Sequence, residues 1–297
     1  MTADEEKNKR GQREIWYYDK GIYKKEKIAA EKWMRLIYEN PIGSAALPII
    51  IKRKALSRLY GAYCRTKHSA KMVPRFIEEN NIDMTGCRDS YKSFADFFSR
   101  EKSGITFPEE AGVLGSPCEG MASAYADIEP ENMIAAKGSS FSLPELLGDS
   151  VLADEFRGGT MLQIRLTPAN YHRMHFFDSG KVTGTKFING DLYSVSPLAV
   201  RRIASLYCRN KRAVILFSSQ NFGKVAITEV GATFVGSIVH CFSENENVNR
   251  GGLTSYFLPG GSLVLFFFTK GMFLPNDELI NQTNMGFETK VNVGDIL

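Results

Sequence analysis

A change in residue periodicity near position 113 constrains this chain more than any other feature. Before it, apolar residues recur at helical spacing. Ile28 to Tyr38 sets Ile28, Trp33, Leu36 and Ile37 near one face and stops before Pro41, and Lys92 to Arg100 repeats the habit with Phe94, Phe97 and Phe98. After it come short β-branched or aromatic runs punctuated by Gly, Pro, Asn and Asp: Met161 to Leu166, Lys181 to Phe187, Ala213 to Phe217, Lys224 to Val230, Ser237 to Phe242 and Leu263 to Thr269. The pattern predicts an α+β fold in which a helical N-terminal region docks on an antiparallel, β-rich core. Pro108 to Gly112 is the expected joint, dividing the chain into residues 1–108 and 109–297.

Composition narrows the setting. With 43% apolar and 24% charged residues, the 297-residue chain reads as soluble and globular. Its five cysteines (Cys64, Cys87, Cys118, Cys208, Cys241) are odd in number, widely spread and form no C-x-x-C, so neither a disulfide framework nor a zinc ribbon is indicated. A reducing, cytosol-facing location follows. Met1 to Arg13 lacks the apolar core of a signal peptide and no later run approaches a membrane span, so the chain is expected not to cross a bilayer. The net charge of +4 is placed unevenly: Ile42 to Phe76 holds no Asp or Glu and eight cations, Lys52, Arg53, Lys54, Arg58, Arg65, Lys67, Lys71 and Arg75. Interleaved with Leu47 to Ile51, Leu56, Leu59, Tyr60 and Tyr63, this basic face suits the interface of an anionic membrane. A solvated helix packed on the core is the other reading; no recognised nucleic-acid motif accompanies the charge.

Three short segments carry candidate chemistry. In Tyr256-Phe-Leu-Pro-Gly-Gly-Ser-Leu-Val-Leu-Phe-Phe-Phe268, a flexible turn opens into a very apolar strand. Such a turn is usually no more than that. It also lets Ser262 Oγ reach the carbonyl carbon of Gly261, because glycines permit unusual backbone angles and leave no side chain in the way. Thr167 to His175 holds two of the four histidines, His172 and His175, and histidine is the natural general base near neutral pH. Their odd separation turns the rings to opposite sides of an extended strand, and they supply too few ligands for a metal site. A core histidine is the plain alternative for His172. Gly115-Ser-Pro-Cys-Glu-Gly120 presents Glu119 between turn formers, either as a surface turn or as the carboxylate that orients a histidine.

In this order the segments resemble the phosphatidylserine decarboxylases, from about Tyr18 to Leu297. The likeness extends to Ser93-Phe-Ala-Asp-Phe-Phe-Ser-Arg100, Leu192-Tyr-Ser-Val-Ser196, Asn210-Lys-Arg212, Phe222-Gly223, Glu229-Val-Gly-Ala-Thr-Phe-Val-Gly-Ser237 and Asn281-Gln-x-x-x-Gly286 with Glu288-Thr289. It is greatest toward the shorter bacterial members.

The resemblance implies self-cleavage between Gly261 and Ser262 into a β chain, 1–261, and an α chain, 262–297. Ser262 becomes a covalent pyruvoyl group, the only cofactor expected. His175 is then the base that activates Ser262, Glu119 stands in the place of the triad aspartate, and His172 shares the later proton transfers. Implied partners are phosphatidylserine, an anionic membrane surface on the cytoplasmic side, the chain's own cleaved halves and a second copy in a homodimer. The chain departs from the family pattern at Glu119 and at Asn170, where aspartate is common. It departs again at Arg250-Gly-Gly-Leu253, Pro259 and Leu263, which flank the expected cut. Two other outcomes remain compatible: a pyruvoyl decarboxylase of a soluble amino acid, and a non-processing homologue that binds membrane or a partner.

Overall fold

The computed structural model describes residues 14–28, 31–39, 54–135, 139–232, 238–260 and 262–297. The polar start at Met1 to Arg13, the Leu47 to Ile51 run with Lys52 and Arg53, most of the Ala232 to Ser237 motif and Gly261 lie outside these residues. In chain order the strands are β1 (Trp16–Asp19), β2 (Ile22–Lys25), β3 (Gly120–Ala126), β4 (Met133–Ala135), β5 (Ser139–Phe141), β6 (Thr160–Leu166), β7 (Arg173–His175) and β8 (Gly180–Ile188). They continue as β9 (Arg212–Ser219), β10 (Gly223–Gly231), β11 (Ile238–His240), β12 (Asn247–Val248), β13 (Leu253–Phe257), β14 (Ser262–Phe268) and β15 (Glu288–Val291).

Ten of them form one sheet in the order β12-β8-β9-β10-β14-β6-β3-β15-β1-β2, antiparallel throughout except where β1 runs parallel to β15. A smaller sheet, β11-β13-β7, and the β4–β5 hairpin complete the strands. The mixed α/β, sheet-dominated class matches the expected pattern, and each strand read from the sequence finds its counterpart within a few residues.

β14 shows why the class was readable. All seven of its residues are buried, as a strand covered on both faces must be. Alternation sends Leu263, Leu265 and Phe267 into one core with Leu143, Leu146 and Phe156, and sends Val264, Phe266 and Phe268 into another with Phe177, Phe222 and Phe273. Helix Leu143–Leu147 begins at Ser142, whose hydroxyl accepts from the Glu145 N–H, and ends at Gly148 in the left-handed conformation. Helix Asp277–Met285 uses Asn276 and Gly286 in the same way.

The helical reading of the first hundred residues needs correction at its start. Trp16 to Lys25 is a hairpin turned by Lys20 (φ 47°) and Gly21 (φ 87°), the paired positive angles that match strand twist in a two-residue connection. A buried ion pair ties it down. Arg165 in β6 donates to Glu288 in β15 at 2.7 and 3.0 Å and to Glu26, just past β2, at 2.8 and 2.9 Å. Beyond the hairpin come helices Glu31–Glu39, Lys54–Cys64, Val73–Asn80 and Phe94–Phe98, the last begun by Ser93 accepting from the Asp96 N–H; Phe94, Phe97 and Phe98 are buried as expected, whereas Ile28 falls outside the first helix and Leu36 is exposed. Cys64, Val73, Phe94, Phe97 and Phe98 form a core shared by the last three helices, whereas Tyr38 of the first joins the core that holds Leu143 and Phe156.

Candidate active site

Ser262 is the first residue of β14, in the middle of the large sheet. It is registered against Gly231 of β10 on one side and Leu166 of β6 on the other. The side chain is fully buried, and its Oγ meets no hydrogen-bond partner among the described residues. Just upstream, Gly260 has φ 151°, a conformation that residues with side chains rarely adopt.

The chain leaving β6 after Leu166 builds the histidine segment. Asn170 Oδ1 accepts from both the Thr167 N–H (2.7 Å) and the Thr167 hydroxyl (2.8 Å), closing a tight turn around Pro168. Asn170 Nδ2 then donates to Glu119 Oε1 at 2.7 Å, and the Tyr171 N–H reaches Glu119 Oε2 at 3.3 Å. His172 is wholly buried, its ring 3.8 Å from that of Phe98. Its Nδ1 donates to the Asn170 carbonyl at 2.8 Å, so the lone pair sits on Nε2, which meets no donor. Burial pushes its pKa down to about 3, with the Arg100 charge adding to the effect against the Asn170 hydrogen bond.

His175 closes β7. Nδ1 donates to the Gly251 carbonyl at 2.9 Å, and Nε2 accepts from the Tyr171 hydroxyl at 3.1 Å, with the two rings stacked 5.9 Å apart. Burial lowers its pKa as well, partly offset by the Gly251 bond. It faces a cavity of about 450 Å³ lined also by Tyr171, Arg173 and Leu253. The two rings thus occupy different surroundings, as the odd spacing implied. Glu119 and His175 are joined through Tyr171, which bonds one by its N–H and the other by its hydroxyl; among the described residues no side chain bonds Ser262.

A second polar cluster escaped the sequence reading. Glu229 on β10 is fully buried, accepts a hydrogen bond from the Ser255 hydroxyl on β13, and sits 2.7 Å from His240 Nε2 on β11. His240 stacks between Phe187 and Phe242. The available signal was a lone carboxylate inside the apolar run Val225 to Val230. Such a group needs buried partners. Among the described residues no three His, Cys, Asp or Glu side chains gather as a metal site.

Comparison with known proteins bears on this geometry. Residues 92–296 match the phosphatidylserine decarboxylase family. A phosphatidylserine decarboxylase proenzyme of Clostridium perfringens is 41% identical over 282 residues, covering 93% of this chain and 95% of that one. Those of Clostridium novyi and Ruminiclostridium cellulolyticum are also 41% identical, covering 92% and 93% of this chain and 95% and 93% of their own. With likeness running through nearly the whole of both chains, including the buried serine strand and the histidine segment, this chain belongs to the phosphatidylserine decarboxylase family.

Proposed function

We propose that the chain is a proenzyme that cuts itself between Gly261 and Ser262 and then decarboxylates phosphatidylserine to phosphatidylethanolamine. The observation that carries this is the placement of Ser262: a buried serine at the first position of a central strand, after a backbone angle that favours glycine, in a chain that matches a named proenzyme over 93% of its length. Attack of Ser262 Oγ on the Gly261 carbonyl carbon forms an ester as the Ser262 nitrogen leaves as an amine. Loss of the α-proton with departure of the ester carboxylate frees 1–261 and leaves dehydroalanine. Water then replaces the nitrogen as ammonia, giving the pyruvoyl end.

The surroundings fit that group. Because Ser262 Oγ bonds to nothing in the described chain, losing its hydroxyl breaks no hydrogen bond. Once formed, the pyruvoyl group supplies a carbonyl that accepts electrons as CO2 leaves. The protein's own part is proton handling. His175 is the base for Ser262 once its Nε2 exchanges the Tyr171 hydroxyl, and Glu119 positions it through Tyr171 and Asn170. His172, neutral with an unmet Nε2, serves the later transfers.

A membrane-surface location agrees with exposed Leu59 and Tyr63 beside exposed Arg65, Lys67 and Lys71. Among the described residues no helix is long and apolar enough to cross a membrane. Intact mass under denaturing conditions tests the reading. Wild type should yield a 262–297 fragment with a carbonyl at its N-terminus, and Ser262→Ala a folded, uncut chain. A stable uncut wild type, or cleavage of the variant at the same bond, overturns it.

A further inference from the structure

Three arginines are buried among the described residues, and two are fully engaged. Arg165 meets the carboxylates of Glu26 and Glu288. Arg212 donates to the carbonyls of Glu145, Leu146, Cys208 and Asn210. Arg100 is different. It is 2% exposed, gives Nη2 to the Ala169 carbonyl at 3.2 Å and lies over the Phe97 ring at 4.9 Å, while Nε and Nη1 meet no acceptor. A guanidinium keeps its charge in a protein, and a buried charge is costly without a partner.

Arg100 lines a cavity of about 330 Å³, within the range of small-ligand sites. Lys102 and Lys290 also line it. The four acids there are already engaged: Glu26 by Arg165, Glu79 by Arg75 at 2.7 Å, Asp83 by Lys102 at 3.3 Å, and Glu119 by Asn170 and Tyr171. Thr167 to Asn170 forms another wall, and that segment leaves β6 directly after Leu166, the residue opposite Ser262. The cavity therefore adjoins the loop that joins the reactive strand's neighbour to His172.

We propose that Arg100, supported by Lys102 and Lys290, binds the phosphodiester of a phospholipid headgroup in this cavity. The choice of phosphodiester rests on the decarboxylase reading. An arginine paired with the substrate carboxylate stabilises the charge that must leave as CO2 and so holds the ground state more tightly than the transition state. The phosphodiester keeps its charge throughout, and binding it costs nothing in the chemical step.

The test uses the self-cleaved wild type beside Arg100→Gln and Lys290→Gln. Two probes separate the chemistries: glycerophosphoethanolamine has the phosphodiester without a carboxylate, and serine has the reverse. Arg100→Gln should cut itself as wild type does and raise KM for phosphatidylserine micelles about 30-fold, with kcat within about 3-fold. Calorimetric affinity for glycerophosphoethanolamine should fall by the same factor while inhibition by serine holds; Lys290→Gln should weaken that affinity about 3-fold. Unchanged KM and probe affinity in Arg100→Gln overturn the site, as does a loss confined to serine. Inorganic phosphate binding as tightly as the probe overturns the headgroup assignment. If Arg100→Gln fails to fold, wild type and Lys290→Gln decide, and no binding of glycerophosphoethanolamine by wild type is then fatal. Arg100-dependent probe binding by a chain that releases no CO2 removes the decarboxylase reading and leaves the site.

Discussion

Glu229 lies on the strand next to β14 and Glu119 just before β3, one strand beyond β6, and the two carboxylates are held in opposite ways. Glu119 sits half-exposed in a loop, its oxygens taken by a side-chain amide and one backbone N–H. Glu229 is registered against Val264 of β14, fully buried, and shared between Ser255 and His240. A partly exposed carboxylate that loses a partner can be solvated instead. A buried one is fixed by three strands from two sheets, and each partner it loses is left unpaired in the core. Glu229 clamps β13, the strand before Gly260, onto the sheet that carries Ser262.

Removing the clamp is the severest way to break this comparison. Glu229→Ala strands His240 and Ser255 and opens a cavity, so urea unfolding should show a loss of about 3–5 kcal/mol. A loss below about 1 kcal/mol would mean that Glu229 contributes no more than an exposed pair does.

The loop side has a buried member too, and pH sharpens the contrast. His172 is neutral in the fold, with its pKa down at about 3 against an ordinary 6.5. Between these values the unfolded chain binds the extra proton, so this residue's contribution is complete above pH 6.5 and declines as pH falls toward 3. His172→Phe should flatten the stability profile in that window by up to about 1.4 kcal/mol per pH unit. His175, whose pKa burial lowers less far, should matter less when replaced by Phe. Equal slopes in wild type and His172→Phe would mean that His172 reaches water in the fold.

What the sequence disclosed follows the same division. β14 was legible because burial on both faces demands an unbroken apolar run, and Leu263 to Phe268 is one. β3 was not: five of the seven residues from Gly120 to Ala126 are glycine, alanine or serine, poor strand formers held by pairing with β6 and β15. Glu119 and the two histidines were legible as motif members, whereas Tyr171 as the link between them was not, since it depends on where a loop and a strand end meet in space. Glu229 and Arg100 lay in recognised motifs, yet only burial separates them from surface charges. The β1–β2 hairpin was hidden because its anchors, Arg165, Glu278 and the β15 strand, lie far along the chain.

The finest test is Glu119→Asp, which restores the family residue. Glu119 spans from its loop to Asn170 Nδ2 at 2.7 Å and the Tyr171 N–H at 3.3 Å. A side chain one methylene shorter keeps both only if the loop advances. Gly120 prevents that, because its backbone already lies against β6 so closely that even a Cβ there would stand 2.7 Å from the Arg165 carbonyl oxygen. Asn170 completes the fit, since its amide donates to Glu119 where an aspartate could not. Position 119 and position 170 thus form a matched pair in this chain, and Glu119→Asp alone should slow self-cleavage about 3-fold with stability changed by under about 1 kcal/mol. Faster cutting would show instead that the carboxylate works nearer His175 than its present partners hold it, and that the loop moves before the bond is broken.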